Sequence, residues 1–94
     1  MLDDMYDETE WSFQYDGQRM EICRYKTDGQ EAEVAVGAVM RQFADPNSRN
    51  LSKSYPESCC FAIGESCYVI WKEGCVYRVL GAQAKEVIDC IYKA

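Results

Sequence analysis

The residues with the most chemistry to offer are six cysteines, Cys23, Cys59, Cys60, Cys67, Cys75 and Cys90. Such a set can close disulfides, hold zinc or supply a nucleophile, and each use imposes its own pattern. Disulfides belong to oxidising compartments. The start, Met1-Leu2-Asp3-Asp4, lacks the basic residues and apolar run of a secretory signal, so a cytoplasmic, reducing setting is expected. Structural zinc sites present two close pairs such as C-x-x-C, whereas here Cys59-Cys60 is followed by Cys67 and Cys75. Neighbouring residues in a strand point to opposite faces, so Cys59 and Cys60 are poorly placed to share an ion. Free cysteine packs as a small hydrophobe. The expectation is therefore buried free thiols, with no metal and no cofactor.

Catalysis meets a similar shortage. The chain has no histidine, which removes the commonest general base and the commonest metal ligand together. A serine or cysteine nucleophile needs a base in reach, and neither G-x-S-x-G nor S-x-x-K occurs. The glycines are isolated at 17, 29, 37, 64, 74 and 81, so no phosphate-binding G-x-G-x-x-G or G-x-x-x-x-G-K loop is present. Carboxylate pairs such as Asp3 with Asp4 and Glu31 with Glu33 fall on segments read as exposed. Catalytic carboxylates need burial to shift their pKa values. The chain reads as a non-enzyme.

The elements that would position these side chains follow from periodicity. Trp11, Phe13 and Tyr15 alternate with Ser12, Gln14 and Asp16, a half-buried strand that reads as core and ends in the turn dipeptide Asp16-Gly17. The return strand is Arg19–Lys26. A shorter strand, Glu31–Val36, puts Ala32, Val34 and Val36 on one face. At Gly37 the period changes to that of a helix, running to Ala44 before Asp45-Pro46 stops it. Residues 45–58 form the longest loop. Strands then follow at Cys59–Ile63, Cys67–Glu73 and Cys75–Leu80, with Cys67–Trp71 apolar on both faces and hence central. A closing helix, Ala82–Tyr92, carries the stripe Ala84, Val87, Ile88 and Ile91. The predicted fold is one small α+β domain over residues 11–94, preceded by an acidic lead-in at 1–10. Its sheet is mainly antiparallel, with about six strands in two three-stranded meanders. Each meander is followed by a helix, and both helices pack on one face.

Charge is the most unusual feature. The 94 residues carry sixteen acids and ten bases, for a net charge of −6. Eleven acids and four bases lie in residues 1–47, against five acids and six bases in 48–94. Such a balance argues against direct nucleic-acid binding, and no stretch approaches the roughly 20 apolar residues of a membrane span. An acidic face is suited to docking on a basic protein surface, including one that otherwise holds nucleic acid. The candidate partner-binding residues are Asp3, Asp4, Asp7, Glu8 and Glu10, with Tyr55 as an aromatic anchor in the long loop. The function expected is a non-catalytic interaction module, such as a small acidic inhibitor of immunity or anti-defence type. The alternatives are a small-ligand-binding or cysteine-dependent enzyme domain, or a structural subunit of a homo-oligomer joined at a border strand such as Glu31–Val36 or Cys59–Ile63.

Overall fold

A computed structural model describes residues 7–27, 29–43 and 48–94. Strands β1 (Asp7–Tyr15) and β2 (Gln18–Lys26) form a hairpin, followed by helix α1 (Ala32–Met40). Then come β3 (Arg49–Asn50), β4 (Cys60–Ile63), β5 (Cys67–Lys72), β6 (Cys75–Leu80) and helix α2 (Ala84–Lys93). All six strands join one sheet in the order β1-β2-β6-β5-β4-β3, every neighbouring pair antiparallel. The α+β class, the single small domain and the six-stranded antiparallel sheet agree with expectation.

The two tight turns are local chemistry. Asp16 and Gly17 both take positive φ, as do Glu73 and Gly74, which is the geometry of a two-residue turn whose twist matches the strands it joins. Gly81 answers a different need. Its φ is +136°, and a Cβ there would collide with the Met20 sulfur and sit 2.9 Å from the Arg19 carbonyl oxygen. The chain leaving β6 therefore passes hard against the start of β2, where only glycine fits.

The layout differs from the sequence expectation in four ways. The helices do not share a face. Along β5, Val69 and Trp71 point one way while Tyr68 and Ile70 point the other, and both sets are apolar. One helix can cover only one of them, so α1 lies over Val69 and α2 over Ile70. Next, Glu31–Val36 is not a strand. Helix α1 already starts at Ala32 and buries Ala35, Val36 and Val39, leaving Val34 54% exposed. The two meanders thus become a hairpin and a four-stranded run. The sixth strand comes instead from the long loop, where Arg49–Asn50 pairs with Phe61 and Ala62 of β4. Finally, β1 begins at Asp7 rather than Trp11, so residues 7–10 of the acidic lead-in belong to the sheet. Strand β2 is nine residues long, and its whole length finds partners in β1.

The layers are built differently. Over one face, Cys23, Tyr25, Val69, Val76 and Cys59 pack against Ala35, Val36 and Val39 of α1. Over the other, Met20, Ile70, Val79, Cys60 and Tyr55 pack against Ala84, Val87 and Ile88 of α2. Cys59 and Cys60 do point to opposite faces. Among the described residues, no helix is long and apolar enough to cross a membrane.

Candidate interaction edge

The sheet has two borders, and they are protected unequally. Strand β3 is only two residues long. The chain after it folds straight back: Asn50 Oδ1 accepts the Ser52 amide, and Ser52 Oγ accepts the Cys60 amide. A short border like this offers little to an incoming strand. Strand β1 is nine residues long and contains neither proline nor lysine, two of the usual guards of an open edge.

Register decides which β1 groups are free. The Thr27 amide, just after β2, donates to the carbonyl oxygen of Gly74, just before β6, so the odd-numbered residues of β2 direct their backbone groups toward β6 and the even-numbered ones toward β1. Across the hairpin, Asp7, Thr9, Trp11, Phe13 and Tyr15 stand opposite those even residues and use their N–H and C=O groups there. The backbone groups of Glu8, Glu10, Ser12 and Gln14 consequently point outward, along the border where no further strand stands among the described residues.

Side chains add a second asymmetry. Glu8 and Glu10 project on the α1 face of the sheet, where the Cys23 thiol donates to Glu8 Oε2 at 2.8 Å. On the α2 face stand Trp11, Phe13 and Tyr15. Phe13 and Tyr15 are half-buried against the α2 cluster, and the Tyr15 hydroxyl donates to Glu86 of α2 at 3.1 Å. Trp11 lies beyond the reach of α2 and stays 43% exposed, with the Arg24 guanidinium 5.2 Å from its ring centre. The edge thus carries Glu8 and Glu10 on one face and, on the other, an aromatic under a cation with Asp7 at the strand's start.

The predicted site residues fare unevenly. Asp3 and Asp4 lie outside the described residues. Asp7, Glu8 and Glu10 fall together on β1, opposite Lys26, Tyr25 and Cys23. Tyr55 is a correction: it is 3% exposed, a core residue rather than a wet anchor. Its hydroxyl donates to Asp89 Oδ1 at 2.7 Å and its ring meets Tyr92 edge-on at 5.1 Å. Burial pushes its phenol up to about 12. Trp11, expected in the core, is the edge residue that periodicity misplaced. The signal for it was the continued alternation of Glu8 and Glu10 with Thr9 and Trp11, which extends the strand pattern into the acidic segment.

Of the six free thiols, Cys23, Cys59 and Cys60 are buried, Cys67 and Cys75 are half-buried and Cys90 is exposed. Glu8, Glu10 and Cys23 bring three donor atoms within 4.8 Å of one another. Burial, then the Glu8 carboxylate, pushes the Cys23 thiol up to about 11, in keeping with its role as a hydrogen-bond donor to Glu8. Desolvation also raises Cys59 and Cys67, and raises Cys60 to about 12. A cleft of about 390 Å³ opens between Pro56, Ser58, Trp71, Lys72 and Tyr92, and one of about 500 Å³ between α1 and β4. The thiol lining the second belongs to Cys59, among those whose burial disfavours the thiolate. Comparison with protein-family models, curated proteins and solved structures finds no match to this chain.

Proposed function

We propose that the protein is a non-catalytic interaction module that docks on a basic surface of a partner protein and occludes it, in the manner of a small acidic inhibitor. The observation that carries this reading is the border strand β1, nine residues long, with no further strand beyond it among the described residues and bearing Asp7, Glu8 and Glu10. Acids at the rim of a docking surface steer encounter and reject like-charged partners. The lack of any histidine to serve as a general base supports the non-catalytic part.

The test is capture of partners on the reduced, immobilised protein, with the Asp7→Lys/Glu8→Lys/Glu10→Lys variant alongside. One dominant basic protein is expected at low salt, lost as ionic strength approaches 1 M, where charges screen within about 3 Å. The reversed variant is expected to associate at least about tenfold more slowly. Equal capture by both proteins at both salts defeats the reading.

A further inference from the structure

Resting on the reading just given, the geometry points to a mode of contact: we propose that the partner supplies an extended basic segment that adds to β1 as a further strand of the sheet. Three independent features of β1 converge on this. Its outward N–H and C=O groups, from Glu8, Glu10, Ser12 and Gln14, form a ready hydrogen-bonding template. Side chains of an added strand alternate between the faces of the sheet. On the α1 face such a strand meets Glu8 and Glu10; on the α2 face it meets exposed Trp11, already beneath the Arg24 cation. The fitting segment therefore carries lysine or arginine at every second position and apolar residues between them. Cations belong on the carboxylate face, because Arg24 repels them on the other.

A second copy of this chain is the poorer occupant. Antiparallel pairing of two full-length β1 strands centres on Trp11 and places Glu8 and Glu10 of both copies on one face. In that register Glu8 faces Gln14 and Glu10 faces Ser12 of the other copy, so the two Glu10 carboxylates approach diagonally between molecules that each carry a net charge of −6. The acids thus discourage self-pairing while leaving the edge open to a basic strand.

The probe is an end-capped nine-residue peptide alternating lysine and valine, titrated to about 1 mM into the isotopically labelled protein and followed by NMR. Saturable shifts are expected at Glu8, Glu10, Ser12 and Gln14, with slowed amide exchange at these four residues. N-methylating alternate peptide residues is expected to weaken binding at least about tenfold, since it deletes donors without changing charge. Ser12→Pro removes one outward N–H and no hairpin bond, and should weaken the peptide similarly. Absence of binding, or equal binding of the methylated peptide, overturns strand addition. So does a β1-dependent dimer, detected by sedimentation, that leaves the peptide unbound. Loss of the natural partner by the triple charge reversal but not by Ser12→Pro overturns strand addition while leaving the acidic docking reading intact. Indifference to the reversal defeats both.

Discussion

The two faces of the sheet carry helices of nearly equal length but are held by different chemistry. Beneath α2 the contact is large and laced with polar bonds. Tyr15 reaches Glu86, Tyr55 reaches Asp89, Lys72 donates to the Tyr92 carbonyl oxygen and the Tyr92 hydroxyl donates to that of Pro56. Beneath α1 the buried helix residues are Ala35, Val36 and Val39, small side chains that offer area and nothing directional. A layer tied by both burial and hydrogen bonds opens with the whole fold, whereas one resting on modest apolar area can open alone. Helix α1 is thus the one expected to open first.

The sharpest way to break this contrast is truncation in each layer. Ile88→Ala, at a fully buried site under α2, is expected to cost about 3 kcal/mol in urea unfolding, as core Ile→Ala changes do. Val36→Ala removes two buried carbons under α1 and is expected to cost about 2 kcal/mol. Native-state amide exchange then separates the layers. Helix α1 should exchange about tenfold faster than α2 in the unmodified protein. Equal protection would end the distinction.

Removing one hydroxyl gives a smaller effect. Tyr55→Phe keeps the ring against Tyr92 but deletes the bond to Asp89, for a loss of about 1 kcal/mol near neutral pH. The Tyr55 hydroxyl, and beyond it the Lys85 ammonium, hold Asp89 below the usual carboxylate range. A depressed carboxylate contributes its stability above the unfolded value of about 3.9, and that contribution fades as pH falls through the folded value. The penalty for Tyr55→Phe should therefore shrink below about pH 4. A penalty that stays constant with pH assigns the stabilisation to packing instead. Lys85→Ala, which breaks the exposed pair with Asp89 at 3.1 Å, should cost less than about 0.5 kcal/mol and become neutral in high salt.

How far the sequence foretold this molecule depended on how local each signal was. Asp16-Gly17 and Glu73-Gly74 needed only their own backbone preferences, and both turns formed where those dipeptides stand. The stripe Ala84, Val87, Ile88 and Ile91 has one period and made one helix. Residues 31–36 satisfied two periods at once, because alternating small side chains also suit a helix, and packing over Val69 decided in favour of the helix. Tyr55 was illegible for another reason: its partner Asp89 is thirty-four residues away, and no loop rule announces it. The acids of β1 could be read as a charged surface. Their place on an open edge could not, since that depends on β2 pairing with β6 rather than with a following strand.

Cys59 and Cys60 are consecutive in the chain, yet one thiol lies under α1 and the other against the α2 cluster. The fold therefore contains a two-sided gauge of its own breathing. Lifting α1 bares the first sulfur and leaves the second shielded, while loosening the α2 side does the reverse. A pulse of alkylating reagent followed by fragmentation of the single peptide spanning both would report which layer had opened, at a spacing of one residue and without any engineered label.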